Sequence, residues 1–306
     1  MSINNLTFAT KFATELDKLL VQKSQAAILE DKGMAAKFVG AHEVKIPVVG
    51  FVGLGDYNKD TGFAQGSVSV THQVFSLTKD RARTFSIDRE DMDETGIATL
   101  AGSVMSEFVR TQAAPEVDAY TFSTIATKAT AAGQTVALGE GETLAKNVFA
   151  LISNAIGKVN DATGFTGEEI ILYVNPTVYA ALMATPEISR HLRIDEFKRG
   201  EISTMVQKID NAVIIPVSDN RMKTAYDFSN GGETDEGGFS AADGAKSVGI
   251  IAMPRNAAML VKKTEKIRTF SPDVNQTADA YKFDYRLYYD VLVKDSMKGT
   301  IYTYTY

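Results

Sequence analysis

The most regular pattern lies near the C-terminus, where Tyr281, Phe283, Tyr285, Leu287, Tyr289, Val291 and Val293 hold seven successive odd positions. A two-residue period puts them on one face of a β-strand. At ~3.4 Å per residue that strand is about 45 Å long, well beyond the usual five or six residues. Residues 294–299 supply turn chemistry, and IYTYTY, with Tyr302, Tyr304 and Tyr306 alternating, reads as the returning strand of a ribbon. Val68, Val70 and Val74 alternate in the same way after VKIPVVGFV and a loop carrying Gly53, Gly55, Gly62 and Gly66. Together with the run on to Asp88 they predict a long antiparallel hairpin with a wide tip. Two strands alone are marginally stable and expose unpaired edges, so this hairpin needs cover from its own chain or another.

Helical spacing appears in three places. Phe12, Leu16, Leu19, Leu20 and Ile28 predict an amphipathic helix over residues 11–29, followed by the Gly-punctuated linker DKGMAAKFVGAHEV. Ile97, Leu100, Ala101, Val104, Met105, Phe108 and Val109 predict a long helix over residues 93–128. Asp93 or Thr95 caps it, and Asp88, Glu90, Asp91, Asp93 and Glu94 gather at its positive end. Pro115 removes a donor and clashes with the preceding turn, which predicts a break or kink after Ala113 and Ala114. Leu144, Val148, Leu151, Ile152, Ala155 and Val159 mark the third helix. EEIILYVNP then reads as a buried strand, with Asn175 capping and Pro176 opening a short helix, a device repeated at Thr185 and Pro186. NAVIIPV and KSVGIIAM are further strands, DFSNGGETDEGGFSAADG an exposed loop, and residues 255–261 a short helix. That succession is an alternating α/β domain.

No run of 18 apolar residues occurs, and the first twenty residues lack the charged start and apolar core of a secretory signal. The expectation is a soluble, unexported protein with no membrane partner. Its 306 residues, 44% hydrophobic and 23% charged, suffice for one large or two ordinary domains and argue against wholesale disorder. Acids outnumber bases by 38 to 32, a net charge of −6, which argues against a dominant basic field for gripping nucleic acid. The absence of cysteine removes disulfides, thiolate nucleophiles and thiolate-bound metals.

Motifs for chemistry are sparse. DYNKDTG resembles the start of a calcium loop through Asp56, Asn58 and Asp60, but Gly62 comes one place late and Ser67 stands where a bidentate Glu belongs. Turn-forming Asx residues explain it better. DREDMDE is accounted for by a helix N-terminus, and GFSAA at Gly238 lacks the second glycine of a hydrolase elbow. His42, His72 and His191 show no paired metal spacing, GLG at Gly53 lacks the rest of a dinucleotide fingerprint, and no phosphate-binding GxxxxGK[ST] occurs. Nothing among these motifs argues for an enzyme, and no catalytic, cofactor or metal residue is assigned.

In order along the chain stand VKIPVVGFVGLGDYNKDTGFAQGSVSVTHQVFSLTKDRARTFSIDREDMDET, RTQAAPEVDAYTFS, YVNPTVYAALMATPEI, IIPVSDNRMKTAYDF and DAYKFDYRLYYDVLV. This succession, covering nearly the whole chain, resembles the major capsid proteins of tailed bacteriophages with the Hong Kong 97-like fold. The resemblance implies an α+β protein with an N-arm at residues 1–45 and an E-loop hairpin at 46–85. It implies a P-domain made of a spine helix at 86–130 and a C-terminal β ribbon at 262–306, and an A-domain at 131–261. It also implies pentamers and hexamers closing into an icosahedral head, assembled in the host cytoplasm, around double-stranded DNA bound without sequence specificity. Asp56, Tyr57, Asn58, Lys59, Asp60 and Phe63 would form the inter-subunit tip of the E-loop.

Some relatives carry an N-terminal scaffolding segment that a protease removes. Here the N-arm starts almost at Met1, so a separate scaffolding protein is expected, with a portal and a decoration protein as further partners. Some members also cross-link an E-loop lysine to an asparagine of an adjacent subunit. Lys59 and Asn275 are placed for that, against the plainer reading of a turn lysine and a loop asparagine. Two other readings stand beside the capsid: an encapsulin-like nanocompartment shell, which encloses enzymes instead of DNA, and an intracellular α/β enzyme.

Overall fold

The computed structural model describes residues 24–30, 38–39, 43–60, 62–90, 100–137, 142–164, 167–185, 192–199, 202–229, 231 and 237–306. Residues 11–23 of the expected N-terminal helix, the caps Asp93 and Thr95, the acids Asp91 and Glu94, Pro186, His42 and His191 lie outside the described residues. After a buried 3-10 turn at Ala26–Leu29 come strands β1 (Phe38–Val39), β2 (Glu43–Phe51), β3 (Val68–Ser76) and β4 (Lys79–Asp88). Helix α1 (Leu100–Phe108), a π turn (Val109–Ala113) and helix α2 (Ala114–Ala131) follow. The middle of the chain holds β5 (Thr135–Ala137), α3 (Glu142–Ala162), β6 (Ile170–Val174), α4 (Pro176–Met183), β7 (Leu192–Arg199), β8 (Ile202–Ile209) and β9 (Ala212–Pro216). Then come β10 (Tyr226–Ser229), β11 (Gly238–Ala241), β12 (Val248–Pro254), β13 (Ala258–Phe270), β14 (Ala280–Val293) and β15 (Tyr302–Thr305).

A seven-stranded mixed sheet, ordered β5-β15-β12-β6-β9-β8-β7, organises the larger core. β6 is buried at all five positions because helices cover both of its faces. Ile171 and Tyr173 pack with Phe122 and Ile125 of α2, while Ile170, Leu172 and Val174 pack with Val148, Ile152 and Val159 of α3 and Val178 and Leu182 of α4. Asn175 caps α4 as its sequence suggests: Oδ1 accepts from the Val178 amide at 2.9 Å, with Pro176 at the first helical position. Among the described residues no helix is long and apolar enough to cross a membrane.

The long alternating strand is β14, and its odd positions do face the core. Its partners differ from those expected. β13 pairs with it from Ala258↔Val293 to Phe270↔Lys282, and β4 pairs along its other edge from Ala280↔Asp88 to Tyr289↔Lys79. Both edges being taken, IYTYTY does not return along the ribbon. Its strand β15 enters the large sheet between β5 and β12, where Thr303 and Tyr304 are buried. Residues 258–261 form strand and not helix, because alternate side chains meet different cores: Ala258 and Leu260 lie in the main one, Met259 and Val261 in that under the hairpin. A four-residue apolar run cannot itself tell these cases apart.

The flanks of the expected exposed loop at 227–244 form the β10–β11 hairpin, and neither that pairing nor the β7–β8 pair was legible as strand. At Pro115 the helix continues. The missing donor and the clash are taken up one turn earlier by the π turn at Val109–Ala113, and Pro115 opens α2.

Candidate functional site

β2 and β3 pair from Glu43↔Ser76 to Phe51↔Val68. At the base, Val44 and Ile46 are buried with Phe75, Leu77, Met259, Val261, Tyr288 and Leu292. Beyond Pro47 that cover ends. Val49–Val70 and Phe51–Val68 are direct cross-strand pairs on the opposite face, which Val74 continues, and all five are exposed. Of the thirteen large apolar side chains exposed among the described residues, ten lie between Val48 and Val74. Phe51 is 77% exposed and Phe63 88%. Such concentration on one projection marks an interaction surface. In the order β1-β2-β3 the outer edge of β3 carries no neighbour among the described residues, so its backbone groups are open to a further strand or surface.

The second arm does not run on as one hairpin strand to Asp88. At Leu77 and Thr78 the chain leaves β2 and joins β14 as β4, because Leu77 buries in the hairpin core and Thr78 is held by Asp290. The buried Asp290 carboxylate accepts from the Thr78 amide at 2.8 Å, the Thr78 hydroxyl at 2.9 Å, the Tyr120 hydroxyl at 2.8 Å and the Val291 amide at 2.7 Å. Burial, with the Asp290 charge adding to it, pushes the Tyr120 phenol up to about 12. The Lys79 ammonium lies 4.0 Å from the centre of the Phe228 ring and 5.0 Å from that of Tyr120, and burial lowers its pKa. Tyr120→Phe should lower stability by about 1.5 kcal/mol, as expected for one hydrogen bond to a charged group, with the fold retained. Guanidinium unfolding measures it, and a change below ~0.5 kcal/mol would show that this bond does not hold the joint.

Asp56, Tyr57, Asn58, Lys59, Asp60 and Phe63 all stand exposed at the tip. Asn58 and Gly62 exchange backbone hydrogen bonds of 3.2 and 2.7 Å, and the Asp60 amide donates to Asn58 Oδ1 at 2.8 Å. Gly62 has φ 80°, and a Cβ on Gly55 would lie 2.7 Å from that of Ala64; Gly53 and Gly66 show neither need. Tyr57 and Phe63 pack edge to face, 5.2 Å between centres. Among the described residues no group of three His, Cys, Asp or Glu is placed to hold a metal. Asn275 closes its own loop: Nδ2 donates to the Ala280 carbonyl at 2.8 Å, and Oδ1 accepts from the Thr277 hydroxyl at 2.7 Å.

The segment 24–30 is fixed at both ends. Fully buried Asp118 of α2 accepts from the Ser24 hydroxyl at 2.6 Å, from the Gln25 and Ala26 amides at 2.9 Å each, and from Arg221 Nη1 at 3.1 Å. Burial raises its pKa and the donors oppose that rise. At the far end Glu30 pairs with Lys262 at 3.2 Å, both well shielded. Asp118 and Asp290 were not singled out from the sequence. The signal was there in each case: an acid flanked on both sides by apolar or aromatic residues, VDAY and YYDVLV.

No family model matches the sequence, and no curated protein matches it. Solved structures do. The mature capsid of bacteriophage PhiM1 superposes with a TM-score of 0.56 at 14% identity, over 90% of this chain and 83% of that one. The capsid of the cyanophage P-SCSP1u gives 0.55 at 14%, over 88% and 84%. A virus-like particle from Pyrococcus furiosus gives 0.50 at 11%, over 97% and 99%. The chain has the α+β fold of tailed-phage capsid proteins.

Proposed function

We propose that this chain is a major capsid protein of a tailed phage, copies of which assemble as pentamers and hexamers into an icosahedral shell around double-stranded DNA. Its role is structural and not catalytic. The observation that carries this reading is the hairpin: on a capsid fold, apolar pairs from Val49 to Phe51 and an open β3 edge project where none of the described residues provides cover. A second copy is the natural cover, because contacts of modest size repeated by symmetry close a shell. The hairpin Glu43–Ser76 then acts as the E-loop, and the segment 24–30 as the anchored end of the N-arm. The likeness to the virus-like particle from Pyrococcus furiosus supports, second, a shell that is not a phage head, such as an encapsulin-like shell around protein.

Negative-stain microscopy of the purified protein, alone and with a scaffolding protein, tests this. Polyhedral shells or capsomers are expected; discrete small particles under both conditions would refute it. Nuclease-protected double-stranded DNA inside native shells supports the phage head, and a protein cargo the second reading.

A further inference from the structure

A cavity of about 240 Å3 lies where β4, β14, the helix around the π turn and the ends of the β10–β11 hairpin meet. One wall is aromatic: Phe108 packs edge-on against Phe85, 4.8 Å between centres, and against Tyr285 at 5.7 Å. The π turn adds Gln112 and Ala113 to the lining. An apolar cavity of ~150 Å3 holds benzene, so this one has room for an aromatic ring bearing a small substituent.

Among the described residues the polar side carries one uncompensated charge. Arg81 is fully engaged, with Nε on Glu116 at 2.6 Å, Nη1 on the Ser229 carbonyl at 2.8 Å and Nη2 on the Gly238 carbonyl at 3.2 Å. Arg81 and Glu116 therefore cancel. Arg83 lies on the same face of β4, and its guanidinium has no ion pair or hydrogen bond among the described residues. Its guanidinium lies over Gly231 and Gly237, where a Cβ would come within 2.7 and 3.3 Å of Nη1, and both glycines hold positive φ, 68° and 78°. Tyr289 lines the cavity as well, and its hydroxyl is buried without a hydrogen-bond partner, a condition native structures seldom leave unanswered.

We propose that this cavity binds a small planar organic acid, its ring against the Phe85–Phe108–Tyr285 wall and its carboxylate on Arg83. Neither contact depends on how copies of the chain assemble, so the proposal stands apart from the capsid reading. Bidentate pairing of a guanidinium with a carboxylate supplies orientation, and the aromatic wall supplies burial.

Benzoate and its neutral isostere benzamide, titrated into the full chain and followed by ligand-observed NMR, are the test. Benzoate should bind saturably and at least fivefold more tightly than benzamide. Arg83→Gln should reduce benzoate to the benzamide level, and Ala113→Leu, with the fold checked by circular dichroism, should weaken both. Equal binding of the two probes, benzoate affinity unchanged by Arg83→Gln, or no binding of either would overturn the proposal. Glu233, Asp235 and Glu236 stand between the two glycines in the sequence. A variant with all three changed to their amides provides the last arm: benzoate bound only by that variant would mean that the chain's own acids answer Arg83, and would also refute the site.

Discussion

Deleting Asp56–Gly62 and closing the gap with a short Gly-containing turn should, on the proposed capsid role, leave a folded subunit that forms no shells. The tip side chains that the structure describes are exposed, and Tyr57 and Phe63 pack on each other and not on the subunit's cores. Removing them uncovers none of the described core residues, so unfolding free energy should change by no more than ~0.5 kcal/mol, the range of ordinary surface substitutions. Assembly is different. Every copy in a shell repeats the contact, and each ~1.4 kcal/mol lost per contact is a tenfold change in its equilibrium constant. Closed shells should be absent at concentrations where the wild type assembles fully. Tyr57→Ser with Phe63→Ser separates reach from anchoring: a deletion effect reproduced by that pair assigns it to the two rings, and one that is not assigns it to length. Circular dichroism and sedimentation read both outcomes. Loss of the fold would refute the placement of the tip outside the core, and normal shells would refute its part in assembly.

The elements that the sequence displayed clearly are those whose burial is periodic. β14 alternates because one face meets helices, and α3 shows a clear stripe because it lies on one face of the large sheet. What stayed hidden were pairings between distant segments. Nothing in AMLVKKTEKIRTF or KDRARTFSID says that β14 lies between them, although the outcome decides where IYTYTY must go. Hairpin proximity made residues 281–306 look like one ribbon, whereas a third strand from 200 residues upstream had filled the edge, as Thr84 on Asp284 shows. The site was half legible for the same reason. The polar, Gly-rich tip is a local feature and reads from its own residues. The joint that aims it brings together Thr78, Tyr120 and Asp290, two of them separated by 212 positions. A pattern of neighbours cannot report such a cluster; an acid inside an apolar run only announces that donors must come from somewhere.

Asp118→Ala should be the most damaging single substitution in the described chain, at about 3–5 kcal/mol, the range for removing one partner of a buried ion pair. The carboxylate gathers four donors from two separate segments, so its loss strands several groups at once. The Ser24 hydroxyl and the Gln25 and Ala26 amides lose their acceptor, and Arg221 is left without that anion. Water cannot readily replace it at a position with no exposed surface. Asp118→Asn should cost less, since one oxygen remains to accept, but its amide group then faces donors. The two ends of the segment 24–30 should respond differently. Hydrogen exchange should accelerate at Gln25 and Ala26 well before Glu30, which keeps its own bond to Lys262. If instead all amides from 24 to 30 exchange together, the segment is one cooperative unit held by the burial of Ala26, Ala27, Ile28 and Leu29. If unfolding by guanidinium shifts by less than ~1 kcal/mol, Asp118 is not the anchor that its geometry describes.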